Sequence, residues 1–159
     1  MTAEAAVEAT TPNGYRAVLY GGLVAGVMDL AYAIIANGLR GIEPVRIMQS
    51  ISSGLLGSAA YEQGAASASL GVLLHFLMMS IICAIYYGAS RRIFLLVRKP
   101  VVMGLLYGVV VYVVMYYVVL PLSAFPHPLT VTPSSIAIGS APMLFCVGIP
   151  IALIVRRFG

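Results

Sequence analysis

Residues 21–41, GGLVAGVMDLAYAIIANGLRG, place a single aspartate, Asp29, in the middle of an otherwise apolar run. A run of about 20 apolar residues is long enough to cross the hydrocarbon core of a bilayer as a helix. An acidic side chain at the centre of such a helix costs about 2.5–3.5 kcal/mol on insertion scales. The stretch therefore predicts a transmembrane helix in which Asp29 has a structural or functional purpose.

The rest of the chain shares this apolar character. Of its 159 residues, 61% are hydrophobic and 9% are charged, which is outside the range of soluble globular domains. We expect an all-α integral membrane protein with four transmembrane helices in a single domain, residues 16–159. The spans are predicted at about 16–37, 69–89, 101–120 and 134–155, after a flexible cytoplasmic N-terminus at 1–15.

The positions of Lys and Arg predict how the chain crosses the membrane. Two of the nine basic residues, Arg40 and Arg46, fall on one side, and seven fall on the other: Arg16, Arg91, Arg92, Arg98, Lys99, Arg156 and Arg157. Because basic loops are retained in the cytoplasm, both termini are expected to be cytoplasmic. The formal charge of +4 comes from these loops, so no nucleic-acid partner is expected.

The first outer loop contains a second helical pattern. In residues 43–60, EPVRIMQSISSGLLGSAA, Glu43 and Pro44 suit the start of a helix, and apolar residues recur at helical spacing. This predicts a short amphipathic helix, either at the membrane interface or as a re-entrant segment.

Glycines mark the helix faces that can pack closely. Gly22 and Gly26 form one GxxxG motif, Gly104 and Gly108 form another, and Gly71 precedes His75 by four residues. Without side chains, such faces let a neighbouring backbone approach. The motifs predict packing inside the bundle or, alternatively, a homodimer face.

Three polar residues are predicted at similar depth on these faces: Asp29, His75 and Tyr112. They form a candidate intramembrane polar cluster. Its predicted role is a structural clasp between the first three spans, or a site that handles protons or binds a ligand. A third interpretation is that Asp29 does not join this cluster and instead faces lipid or a partner protein.

Neither a cofactor nor catalysis is expected. Along the second span, His75, Met79, Cys83 and Tyr87 recur every four residues, but each step covers about 6 Å of helix, so the stripe cannot hold one ion. A bis-histidine haem site lacks a second histidine at depth, since His127 lies in an outer loop. Paired carboxylates and nucleophile motifs are absent from the sequence, which predicts a non-enzymatic protein.

Two further patterns concern the third and fourth spans. Tyr116 and Tyr117 are predicted to anchor the third span at the outer interface, where amphipathic rings prefer to lie. Pro142 and Pro150 predict kinks in the fourth span, with Cys146 between them.

Three segments carry a resemblance: IMQSISSGLLG (47–57), LLHFLMMSIICAIYY (73–87) and GLLYGVVVYVVMYYVVLPLSAF (104–125). Together they resemble a group of small bacterial inner-membrane proteins of undetermined activity and, more distantly, YagU-type membrane proteins. The resemblance implies a bacterial inner-membrane location and about four helices. It implies no catalytic residues.

Taken together, the sequence predicts a non-enzymatic accessory or assembling subunit that works in the lipid bilayer, as a homo-oligomer or within a larger membrane complex. The alternative is a small oligomeric transporter or channel that uses Asp29, His75 and Tyr112 for protons or a polar solute. A hydrated cavity that reaches Asp29 would favour transport, and a dry, fully bonded cluster would favour the structural role.

Overall fold

A computed structural model describes residues 14–126 and 132–158. These residues are almost entirely helical and contain no strand. Most of the predicted flexible N-terminus, residues 1–13, lies outside the described residues, as does His127.

The described chain folds into six main helices and one short 3₁₀ helix, Gly57–Tyr61. In order the main helices are α1 (Gly14–Gly38), α2 (Pro44–Leu56), α3 (Gly64–Ser90), the single-turn α4 (Leu95–Arg98), α5 (Pro100–Leu122) and α6, which runs from Pro133 to Phe158. Four of them, α1, α3, α5 and α6, are long and apolar enough to cross a membrane. The prediction of an all-α protein with four spans is therefore confirmed. The largest difference is at α3, which begins at Gly64 rather than near residue 69.

The short helix α2 confirms the amphipathic segment predicted in the first loop. Pro44 is its first residue, where the proline ring supplies a helical φ and no amide hydrogen is needed. Its buried face includes Ile47 and Met48 and packs against α3. The two helices touch at Gly71, where an added Cβ would collide with the Met48 carbonyl oxygen. The missing side chain at Gly71 thus lets α2 lie directly on α3.

In the bundle, α1 packs against α3 on one side and against α6 on the other, and α6 packs against α5. We call the end of the bundle with Arg16, Arg91 and Arg156 the basic end, and the opposite end, with Arg40 and Arg46, the Arg40 end. Side chains from all four spans form one core displaced toward the basic end: Ala17, Ala25, Met79, Ile82, Cys83, Tyr86, Val111, Val147, Ile151, Ala152 and Val155. The bundle is therefore most tightly closed at the basic end.

Helices α5 and α6 meet backbone to backbone. A Cβ on Gly104 would stand 2.7 Å from the carbonyl oxygen of Gly148, and one on Gly108 would stand 2.5 Å from that of Met143. A Cβ on Gly148 would in turn collide with the carbonyl oxygen of Gly104. No side-chain rotation can relieve such contacts, so the spacing of α5 and α6 depends on these glycines.

The other predicted glycine pair faces α3. A Cβ on Gly22 would lie 2.9 Å from the Cα of Ser80, and one on Gly26 would lie 2.8 Å from the ring of Phe76. Both GxxxG motifs are thus occupied by a neighbouring helix of the same chain.

Two spans contain a wider, π-helical turn near a proline. In α5 it covers Met115–Val119 and precedes Pro121, and in α6 it covers Met143–Gly148, between Pro142 and Pro150. Proline has no amide hydrogen, so the carbonyl four residues earlier loses its helical partner. A local change of helical winding accommodates such a loss within a membrane span.

Candidate functional site

A cavity opens between α1, α5 and α6 at the Arg40 end of the bundle, with a volume of about 380 Å³. Helix α1 packs closely against two segments of α6, Met143–Gly148 and Ile149–Phe158. It makes far fewer contacts with the preceding segment, Pro133–Pro142. Helix α1 and the Pro133–Pro142 segment therefore diverge, and the cavity is the gap between them.

One face of α1, from Asp29 onward, lines the whole length of the cavity. Asp29, Tyr32 and Ala36 lie on it at intervals of three or four residues, and Arg40 lines the cavity two residues beyond the end of α1. The nine residues from Asp29 to Gly38, where α1 ends, correspond to about 14 Å of helix. The cavity therefore extends from the Arg40 end into the bundle, and we call its Asp29 end the floor.

The opposite wall comes from α6 and from Tyr116 of α5. Gly139 of α6 leaves room for the Tyr116 hydroxyl, since a Cβ there would lie 2.7 Å from the phenol oxygen. The Tyr116 ring packs against Tyr112, with ring centroids 4.6 Å apart. Both tyrosines are thereby held beside the floor of the cavity.

Asp29 is 8% exposed and has no hydrogen-bond partner among the described residues. Every fully enclosed side-chain nitrogen or oxygen in residues 14–126 and 132–158 does have such a partner. Buried polar groups without a partner are rare and costly. The carboxyl oxygens of Asp29 must therefore find their partner through the cavity, in water or in a bound molecule.

His75 lies close to Asp29 on the α3 side. Its Nε2 donates a hydrogen bond to the Gly26 carbonyl oxygen, at 2.9 Å. The imidazole also interacts electrostatically with Asp29 and meets the Phe76 ring edge-on. The hydrogen bond fixes the ring against α1, one turn from Asp29.

The structure thus brings two members of the predicted cluster, Asp29 and His75, together. Tyr112 is buried at similar depth, but within the described residues no hydrogen bond joins it to either of them. Its neighbour Tyr116 occupies the cavity wall and interacts electrostatically with Asp29. Tyr116 was predicted as an interfacial anchor together with Tyr117, and only Tyr117 is exposed as an anchor requires.

Tyr32 is a second cavity residue that the sequence analysis did not identify. Its hydroxyl donates to the carbonyl oxygen of Ile138, at 3.3 Å, across the gap between α1 and α6. In a regular helix the Ile138 carbonyl would accept a hydrogen bond from the amide of residue 142. Residue 142 is proline and has no amide hydrogen, so this carbonyl is free to accept from Tyr32. Between Asp29 and Arg40 the cavity-lining residues recur every three or four positions, and this spacing is the sequence signal that could have identified the lining face.

A second cavity, of about 430 Å³, lies beside the first and shares Asn37 with it. It is lined by residues of α2 and the adjoining loops, including Arg46 and Tyr61. The Arg46 guanidinium lies 4.7 Å above the Tyr61 ring. Its lining contains no acidic residue.

The described residues hold no group of three or more His, Cys, Asp or Glu side chains arranged to bind a metal ion. Asp29 is the single acidic residue within the four spans. The chemistry available inside the cavity is therefore that of the Asp29 carboxyl group and the phenols of Tyr32 and Tyr116, with the His75 imidazole near Asp29 but outside the lining.

Comparison with known proteins does not identify a family. No protein-family model matches the chain, and no curated protein or solved structure gives a significant match. The function has to be argued from the cavity itself.

Proposed function

We propose that this protein is a small membrane transporter that takes up a polar solute in the Asp29 cavity. The observation that carries the proposal is a carboxyl group, more than nine-tenths buried, that has no hydrogen-bond partner among the described residues and lines an open cavity. Intramembrane acidic residues that face a cavity commonly mark substrate or ion pathways.

The energetic cost of Asp29 supports this function over a purely structural one. An acidic residue at mid-membrane costs about 2.5–3.5 kcal/mol on insertion scales. A structural clasp offsets that cost through hydrogen bonds to the side chain, whereas Asp29 receives none from the described residues. The nearby His75 imidazole, together with solvent or solute in the cavity, offsets it instead.

The packing of α6 supports a moving part beside the cavity. Near the basic end its backbone is locked against α5 through Gly104 and Gly148. Near the Arg40 end it is joined to α1 by the Tyr32 hydrogen bond and few other contacts. The π-helical turn between these parts is a local feature that often accompanies functional hinges. We propose that the Pro133–Pro142 segment moves against α1 when solute enters.

The basic residues support an orientation in which the cavity opens away from the cytoplasm. Seven of the nine Lys and Arg residues lie at the basic end, and loops rich in them stay cytoplasmic. The resemblance noted above supports a bacterial inner membrane. On this proposal both termini are cytoplasmic and solute enters the cavity from outside.

Uptake by proteoliposomes tests the proposed function. Wild type, Asp29→Asn and the control Glu62→Gln are reconstituted, and uptake of radiolabelled amines, amino acids, sugars and carboxylates is measured. Glu62 is exposed near the Arg40 end and lies outside the cavity lining. We expect at least one solute class to enter with wild type and Glu62→Gln, and uptake to be lost in Asp29→Asn at unchanged thermal stability. If no solute class enters with wild type, transport is refuted. If Asp29→Asn lowers thermal stability and leaves uptake unchanged, Asp29 is structural and the Asp29 cavity is not the transport site.

An assembling subunit is the second candidate, favoured by the exposure of α5. Only 17% of its apolar stretch is buried, against 28% for α1 and 33% for both α3 and α6. Its exposed face carries valines such as Val109, Val110 and Val113. Native mass spectrometry from nanodiscs separates the candidates: a stoichiometric larger partner supports the subunit, and a monomer or closed homo-oligomer supports the transporter.

A further inference from the structure

We infer that the Asp29 cavity binds a small organic ammonium ion, which on the proposed function is the solute that the protein transports. Four features of the cavity carry the inference: its unpaired acceptor, its aromatic walls, its size and its distribution of charge.

The floor of the cavity offers acceptors in excess of donors. An ionised Asp29 is an acceptor on both oxygens and has no donor among the described residues. The Tyr32 hydroxyl already donates its proton to Ile138, which leaves the phenol oxygen as an acceptor. Nearer the mouth, the side-chain amide of Asn37 donates a hydrogen bond to the carbonyl oxygen of Ala33, at 2.8 Å, so this hydrogen is not available to a ligand. A ligand that brings N–H donors or positive charge therefore complements the floor.

Aromatic rings stand on two walls of the cavity. Tyr32 comes from α1 and Tyr116 from α5, and both line the space above Asp29. A cation within about 6 Å of an aromatic ring is attracted to its face, and quaternary ammonium ligands are commonly held in this way. A cavity lined by one carboxylate and two phenol rings is a suitable environment for an ammonium group.

The volume and the single acid argue against a bare metal ion. Calcium takes 6–8 oxygen ligands, with several carboxylates among them, and the floor provides one carboxylate. The volume of about 380 Å³ falls within the range of about 300–1,000 Å³ typical of small-molecule sites. The cavity therefore fits an organic cation.

Arg40 sets the direction in which such a ligand lies. Among the cavity residues that the structure describes, Arg40 and Asp29 are the charged ones. Asp29 lies about 14 Å of helix from Gly38, and Arg40 follows two residues beyond the end of α1. The ammonium end is attracted to the floor and repelled from the mouth. A ligand with a polar or anionic second end places that end toward Arg40.

Binding of radiolabelled choline to the full-length protein tests the inference. The protein is placed in nanodiscs of phosphatidylglycerol, a lipid without an ammonium group, and choline binding is measured with two competitors. Ethanolamine carries a primary ammonium, and 3,3-dimethyl-1-butanol has the shape of choline without its charge. We expect choline to bind, ethanolamine to displace it, and the neutral alcohol to be ineffective. Equal displacement by the neutral alcohol, or no choline binding, would overturn the inference.

Variants of the same protein locate the site. Asp29→Asn should weaken choline binding about ten- to a hundredfold, the range for losing a hydrogen bond to a charged group, while Glu62→Gln binds as wild type. The competition by the neutral alcohol uses the wild-type protein and therefore stands even if Asp29→Asn does not fold. Unchanged binding by a folded Asp29→Asn protein would refute the site.

A second set of nanodiscs distinguishes a free solute from a lipid headgroup. Phosphatidylethanolamine carries an ammonium group, so it should reduce choline binding if its headgroup enters the cavity and leave binding unchanged if the site takes free solutes. Both results support an ammonium site.

This inference and the proposed function can fail separately. Asp29-dependent uptake of sugars or carboxylates without choline binding refutes the ammonium ion and keeps transport. Choline binding without uptake of any solute keeps the ammonium site and refutes transport.

Discussion

Gly148→Ala is predicted to destabilise the bundle through the contact between α5 and α6. The added Cβ would collide with the Gly104 carbonyl oxygen and lie 3.0 Å from the amide nitrogen of Gly108. Both are backbone atoms, so the helices have to separate. Overpacking of this kind costs about 1–3 kcal/mol, and the helical preference for alanine over glycine returns about 0.5–1 kcal/mol. The two ranges leave a net loss of about 0–2.5 kcal/mol, centred near 1 kcal/mol, or roughly 2–4 °C in Tm for a chain of this size.

Gly88→Ala is the matched control, because Gly88 also lies within a membrane span and a Cβ there has no neighbour within 4 Å. This variant should be as stable as wild type or slightly more stable. Thermal unfolding in detergent can be followed with a thiol-reactive dye in a Cys146→Ala background, since the remaining Cys83 is fully buried and reacts only when the bundle opens. Equal Tm values for Gly148→Ala and Gly88→Ala would refute the close backbone contact.

Two further predictions concern single contacts. Tyr32→Phe removes the hydrogen bond to Ile138 and should lower the free energy of unfolding by about 0.5–1.5 kcal/mol; an unchanged Tm would show that the bond does not form in the membrane. Gly71→Ala should push α2 off α3, because its Cβ meets the Met48 backbone, and should speed tryptic cleavage at Arg46. Gly38→Ala is the control, because a Cβ at Gly38 has no neighbour within 4 Å, and it should leave the cleavage rate unchanged. Equal cleavage rates for Gly71→Ala and Gly38→Ala would argue against this packing of α2.

The four spans were predictable because each is an apolar run that only a membrane can accommodate. The short helix α2 was predictable because Pro44 and the apolar spacing after it follow local rules of helix formation. In both cases the signal lies within one continuous segment. The early start of α3 was missed because Gly64–Ser67 is small and polar rather than strongly apolar.

The cavity was not predictable in the same way, because it depends on how separate helices diverge. Sequence spacing gave the depth of Tyr112 and Tyr116 but not which of them faces Asp29. The π-helical turn that precedes Pro121 changes the winding of α5 where Tyr116 lies, so counting 3.6 residues per turn misjudges its direction. The gap beside α6 likewise depends on Pro142 and the wider turn after it, and its effect on helix packing cannot be read from one segment.

The central claim is that Asp29 lies at the floor of a cavity open to water from the Arg40 end. It can be tested with cysteines at Ala33 and Ala31 in a Cys146→Ala background, with Cys83 buried in the core. Ala33 lines the cavity, whereas Ala31 lies at nearly the same depth, is exposed on the outside of the bundle and does not line it.

The decisive measurement is the rate at which a charged, membrane-impermeant thiosulfonate applied from the Arg40 side modifies each cysteine in proteoliposomes. Ala33 lies about 7–8 Å of helix below Gly38, where α1 ends, too deep for such a reagent to reach through lipid. We predict rapid modification of Ala33→Cys and at least tenfold slower modification of Ala31→Cys. Equally slow modification of both would mean that the Asp29 cavity is closed to water, and would contradict the proposed function.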